Sequence, residues 1–207
     1  IAPVALFTDN TAAVAGADII ILAVKPQVMA EAAGSIAAAV QANHSLVISI
    51  AAGVTIASMQ ARLGPDAAIV RCMPNTPALL GCGASGLFAN STTSAQQRQF
   101  AQRVLSAVGM TCWVETEPEL DAITALSGSG PAYFFLLAEA MIDAGIALGL
   151  HRDTATALAK QTSLGAARMA LESDADLGEL RRRVTSPGGT TERAIQSFEA
   201  DGLRDVV

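Results

Sequence analysis

Basic residues, lysine above all, are scarce in this sequence, as are histidine and cysteine. Thirteen Lys and Arg against nineteen Asp and Glu leave a net charge of −6 at pH 7, a poor electrostatic partner for nucleic acid. The one basic run, Arg181-Arg182-Arg183, reads as a solvated helix face. Two histidines and three cysteines without CxxC or HxxxH spacing give no expected metal site. His44 and His151 fall in apparent loops and read as solvated. An odd, widely spread cysteine set (Cys72, Cys82, Cys112) fits buried thiols in a reducing cytoplasm rather than a disulfide framework. The most apolar long stretch, 131–150, carries Glu139 and Asp143, which argues against a membrane span, and no signal peptide is visible. No Gly-x-Ser-x-Gly elbow and no Ser/His/Asp set occurs, so acyl transfer has no support. There is neither an internal repeat nor a low-complexity tract. An initiating methionine is missing too: the chain opens at Ile1 and soon runs into a buried strand, so it reads as cut at the front, and its stop at Val207 as a cut at the back.

What is present is apolar. Hydrophobic residues make up 51% and charged residues 15% of 207 positions, and at this length about 70% of the unfolded chain's surface is buried on folding. Asp18 to Val24 (DIIILAV) is a strand-length apolar run suited to a parallel strand covered on both faces. Pro26 sits where proline suits a first helical turn, and the alanine-rich stretch 27–41 places Val28, Ala32, Ile36 and Val40 on one face. LVISI (46–50) reads as a second strand, 56–63 as a short helix and AAIVRCM (67–73) as a third strand. That rhythm predicts a doubly wound, Rossmann-type parallel sheet. A strand at 85–89, a helix at 94–109 with Ser94 as N-cap and a closing strand at 112–115 complete it. From Pro118 onward only helical patterns occur, over about 118–126, 131–149, 153–172, 176–184 and 190–200. The fold expected is α/β: a doubly wound, Rossmann-type half over 1–116, missing its front, and an all-helical half over 117–207.

Candidate chemistry gathers at strand ends and helix starts. Gly81-Cys82-Gly83-Ala84-Ser85-Gly86 spells GxGxxG, but it leads into a strand rather than a helix, so it is a poor dinucleotide fingerprint. Ala23-Val24-Lys25-Pro26 lies where a buried strand meets a helix, the edge at which open α/β sheets bind ligands. Lys25, one of two lysines, could meet a nucleotide phosphate or ribose there, or be an ordinary loop lysine. Ile50-Ala51-Ala52-Gly53 ends the next strand at the same edge, its small residues admitting a ligand or packing a helix. Met73 to Pro77 (MPNTP) forms a rigid loop. Ser127 to Tyr133 (SGSGPAY) leads into a long apolar helix and suits either an anion site or a tight junction. Thr185 to Thr191 (TSPGGTT) offers backbone N–H groups and two hydroxyls to one small anion such as a carboxylate, although a plain capped helix start has the same letters.

Taken together, the AVKP and SIAAG strand ends, MPNTP, SGSGPAY and TSPGGTT resemble the pyrroline-5-carboxylate reductase family in order and spacing, from about Asn10 to the end. The resemblance implies a dinucleotide-binding domain over 1–116, a helical substrate-binding and dimerisation domain over 117–207, and a cytoplasmic enzyme of proline synthesis. It would transfer hydride from NADPH or NADH to the imine carbon of 1-pyrroline-5-carboxylate. It implies a homodimer formed through the helical half, in some members a ring of dimers. Asn10, Ala23, Val24, Lys25, Pro26, Ala51 and Ala52 would hold the dinucleotide. Gly188, Gly189 and Thr190 would bind the substrate carboxylate, Thr191 would hydrogen-bond the ring nitrogen as the catalytic residue, and Glu117 would be the acidic substrate-site residue. The chemistry agrees: reducing a cyclic imine needs no covalent nucleophile, only orientation and electrostatics around a cofactor.

Two other readings are open. A β-hydroxyacid dehydrogenase-like oxidoreductase needs a lysine on the helical half with an asparagine one turn on; the candidate Lys160 is followed four positions later by Leu164. A non-catalytic oligomerisation or ligand-binding module is the other. Tyr133, Phe134, Leu137, Met141 and Ile142 are spaced as a core stripe, part of which should face a partner chain.

Overall fold

A computed structural model of the chain describes residues 4–207. Five strands lie side by side in chain order: β1 (Ile19–Leu22), β2 (Leu46–Ser49), β3 (Ala68–Met73), β4 (Gly83–Ala89) and β5 (Gly109–Trp113). β1, β2 and β3 run parallel, β4 is antiparallel to β3, and β5 is parallel to β4. In front of and between them lie α1 (Asn10–Ala13), α2 (Met29–Asn43), α3 (Ile56–Leu63) and α4 (Ala95–Leu105). The period-two alternation of the central strands divides the core between two faces. Val47 and Ile69 pack with Met29, Ala33, Ile36 and Val40 of α2 and Met59 and Leu63 of α3, whereas Leu46, Ile48 and Val70 pack with Ala101 and Leu105 of α4. This is the expected doubly wound arrangement, with one antiparallel pairing, so that β4 and β5 both run opposite to β1, β2 and β3.

Three local expectations are corrected. The buried face of α2 is Met29, Ala33, Ile36 and Val40, while Val28 is exposed and Ala32 half-buried. A 3₁₀ turn over Pro26–Val28 winds tighter than an α-helix, so the first apolar positions move round by one residue. β1 is not covered on both faces either: Ile21 is 47% exposed. The cysteines also divide, for only Cys72 is buried while Cys82 and Cys112 are exposed. The cause is position: Cys72 lies within β3, Cys82 in the turn before β4, and Cys112 on the sheet's edge strand.

After β5, α5 (Glu119–Ile123) passes through a π turn over Thr124–Gly128 into α6 (Gly130–Ala147). By contacts the chain divides into two compact units after Tyr133, inside α6, so α5 and the π turn belong with the sheet. The second unit continues α6 and adds α7 (Arg152–Glu172), α8 (Leu177–Arg183), α9 (Thr190–Ala200) and α10 (Leu203–Val206). The stripe on α6 is not a core of this chain: Phe134 is 70% and Leu137 50% exposed, with Tyr133 and Met141 open as well. The helical run Glu119–Ala147 is, among the described residues, the one long and apolar enough to cross a membrane, at mean hydropathy 1.2.

Candidate active site

The parallel register Leu22↔Ser49 brings the ends of β1 and β2 to one edge of the sheet. Ala23, Val24 and the exposed Lys25 leave β1 there, and Pro26 opens the 3₁₀ turn. Beside them Ala51 is buried with its N–H on Ser49 Oγ at 3.3 Å, Ala52 is exposed, and Gly53 adopts φ +72°. A side chain at Gly53 would meet nothing within 4 Å, so the edge is open where small residues line it. Small side chains leave the backbone approachable there, and Lys25 brings a positive charge to the same edge. Asn10 lies apart from these strand ends in the hydrogen-bond network; its Nδ2 donates to Ser35 Oγ on α2 at 3.1 Å. The GxGxxG letters end inside β4, where Gly86 packs against Ile123 and Gly83 against Gly109, so they allow close packing, not phosphate binding.

Glu117 is heavily engaged. Its Oε1 accepts from Arg71 Nη1 at 2.6 Å and from the backbone N–H of Ile56, the first residue of α3, at 2.8 Å. The pair is largely withdrawn from solvent, with side-chain exposures of 9% for Arg71 and 25% for Glu117. Glu117 thereby ties β3 to the start of α3, just beyond the Ala51–Ala52 segment. Sequence reasoning did not single out Arg71; the signal was a charge interrupting an apolar strand, since a buried cation needs a partner. Cys72 beside it is held as the thiol, its pKa pushed up to about 11 by burial, with a hydrogen bond involving Ser85 opposing.

At the carboxyl end of β3, Asn75 joins three segments. Its Nδ2 donates to Ser127 O at 3.0 Å, and its Oδ1 accepts from Ala84 N–H at 2.9 Å. The α-helical donor for Ser127 O would come from position 131, but that residue is proline and has no N–H. Asn75 supplies the missing donor, while Gly128 lets the chain close against Met73. SGSGPAY is thus a tight junction in this structure.

In the second unit the diglycine turn delivers the chain into α9. Gly188 adopts φ +72° and Gly189 is the N-cap, so this helix start has no capping side chain. By contrast α7 and α8 are capped by His151 and Asp176. Gly189 N–H donates to Ser186 O at 3.0 Å and Gly188 N–H to Glu192 Oε2 at 2.7 Å. Thr190 and Thr191 are the first two residues of α9, whose N–H groups have no intrahelical acceptor. Both are exposed, and neither hydroxyl is engaged by a hydrogen bond among the described residues. Partial positive charge and the free N–H groups of Thr190 and Thr191 can attract a small anion. Glu192 escaped sequence reasoning because a charge in a helical first turn is ordinary. Lys160 is exposed on α7, as a surface lysine would be.

A doubly wound sheet with an open carboxyl edge, followed in the chain by helices, is the class of fold to which dinucleotide-dependent oxidoreductases belong. Residues 117–207 match the family described as Pyrroline-5-carboxylate reductase dimerisation, and residues 2–53 match NADP oxidoreductase coenzyme F420-dependent. A pyrroline-5-carboxylate reductase of Pseudomonas aeruginosa is 56% identical over 199 residues, covering 96% of this chain and 72% of the relative. One from Pasteurella multocida is 47% identical, covering 97% and 73%. Among solved structures, a pyrroline-5-carboxylate reductase from Coxiella burnetii superposes with a TM-score of 0.92 at 46% identity, over 97% of this chain and 74% of that one. The Plasmodium falciparum pyrroline carboxylate reductase with NADP bound gives 0.87 at 31% identity, over 97% and 75%. The chain belongs to the pyrroline-5-carboxylate reductase family.

Proposed function

We propose that the protein reduces 1-pyrroline-5-carboxylate to proline, the last step of proline synthesis, with NADPH or NADH as reductant. The observation that carries the reading is the start of α9, where the absence of a side-chain cap after the diglycine turn leaves the first-turn N–H groups of Thr190 and Thr191 as donors for a carboxylate. Hydride for the imine carbon comes from the reduced nicotinamide. Every other task falls to the chain. Gly188, Gly189 and Thr190 bind the carboxylate through the turn and the helix start, and Thr191 Oγ1 accepts a hydrogen bond from the protonated ring nitrogen. Holding two reactants in attack geometry contributes about 7–11 kcal/mol, more than one hydroxyl supplies, so orientation is the main contribution. Asn10, Ala23–Pro26 and Ala51–Ala52 hold the dinucleotide, and Asn10 is itself held to α2 through Ser35. Glu117 serves the substrate site as the fixed acidic post between β3 and α3.

The same reading assigns dinucleotide binding to residues 1–116 and substrate binding and pairing to 117–207. The change from strands to helices and the family match from 117 support that division, although the contact boundary falls later, after Tyr133. The protein works in the cytoplasm, away from membranes: Glu139 and Asp143 on α6 suit a helix covered by a second copy better than one in lipid. The helical halves form a homodimer, and dimers can join into a ring. The test is direct. Purified protein expressed from its complete gene should oxidise NADPH or NADH when 1-pyrroline-5-carboxylate is added and yield proline. Failure to do so with either nucleotide would end this reading.

A further inference from the structure

We propose that Glu192 is a built-in competitor for the substrate carboxylate and sets the enzyme's affinity for it; the inference rests on the reductase reading above. The N–H of Gly188, a donor assigned to the substrate, is already taken by Glu192 Oε2 at 2.7 Å. A carboxylate oxygen therefore sits on the diglycine turn before any substrate arrives. The placement follows from the sequence. Glu192 is the third residue of α9, from which a glutamate in a capping box reaches back to the N-cap N–H. Here the N-cap N–H, that of Gly189, is engaged by Ser186 O, so the carboxylate reaches one residue further back. The left-handed conformation of Gly188 (φ +72°) accompanies this arrangement.

Glu192 and a substrate carboxylate cannot share that donor. Both groups only accept hydrogen bonds, and two carboxylates gathered on one N–H repel each other. Substrate binding is then an exchange: Glu192 leaves Gly188, the substrate takes the N–H, and the first-turn donors of Thr190 and Thr191 complete the seat. When proline departs, Glu192 returns. The exchange weakens the grip on every carboxylate that uses the turn, product included, and so favours release.

The experiment uses Glu192→Gln and Glu192→Ala in the protein expressed from its complete gene. It measures KM for 1-pyrroline-5-carboxylate and inhibition by cyclopentanecarboxylate, a ring acid without the nitrogen. Both constants should fall by about 3- to 30-fold, further for Ala than for Gln, with the effect on KM rather than on kcat, in the range of one charge-assisted hydrogen bond. Glu192→Gln keeps the shape and removes the charge, so it remains informative if Glu192→Ala folds poorly. Constants that stay the same or rise in an active Glu192→Gln would overturn the competitor role. A wild-type protein without turnover would instead remove the reductase reading itself.

Discussion

Arg71 and Thr191 do opposite kinds of work, one inside a strand and one at an exposed helix start. Arg71 is held by a single carboxylate at 2.6 Å, so removing either partner strands the other in a poorly hydrated place. Arg71→Met should cost about 2–4 kcal/mol in urea unfolding, less than a fully buried pair would because Glu117 is one-quarter exposed. Arg71→Lys should recover only part, since a lysine cannot reproduce the guanidinium geometry. Thr191→Ala should leave stability almost unchanged and lower kcat/KM by about 10- to 1000-fold, the range of one lost transition-state hydrogen bond. A loss within twofold would take Thr191 off the catalytic list. Lys25, Ala51 and Gly188 were legible because strand ends and glycine pairs mark their surroundings within a few residues. The partnership of Arg71 with Glu117 was not, because it spans 46 positions and no local pattern records it.

Elements were legible where local chemistry decides them. α3 was expected at 56–63 and forms there, capped by Thr55, whose hydroxyl accepts from Ser58 N–H. Ser94 caps α4 in a full capping box with Gln97. A misreading came where a turn of different pitch intervened: the 3₁₀ turn before α2 shifts the helical face and has no strong sequence signature. The π turn depends on Asn75, so Asn75→Ala should cost about 1–3 kcal/mol by leaving Ser127 O without its donor, measured by thermal or urea melting. An unchanged midpoint would mean that water replaces the amide.

For the molecule as a whole, the open apolar surface of α6 calls for a partner. Phe134, Phe135 and Leu136 are each at least 65% exposed, more apolar surface than one chain normally leaves to water, and the family match over this half is a dimerisation domain. Light scattering at micromolar concentration should find a dimer or larger; a clean monomer would contradict it. The helical unit should also loosen in acid. Glu179 is held below the usual 4.5 first by its hydrogen bond with Arg182 and then by Arg183, and Glu199 first by Arg204. A carboxylate whose pKa is depressed on folding adds stability above its unfolded value and loses it as pH falls through the folded one. Helix melting followed from pH 6 to about pH 3 should therefore shift downward, by a small amount that added salt erases, since these pairs are exposed.

The bond from Asn75 to Ser127 has a kinetic meaning as well. Its two ends lie 52 positions apart, so no nearby residue can complete the entry into α6 during folding. That entry must wait until β3 and β4 have met, and the cost of closing so long a loop falls before its reward. In pulse-labelled refolding, amide protons around Ser129 should gain protection after those of β3, making the hinge-like start of the longest apolar helix among the last pieces to set.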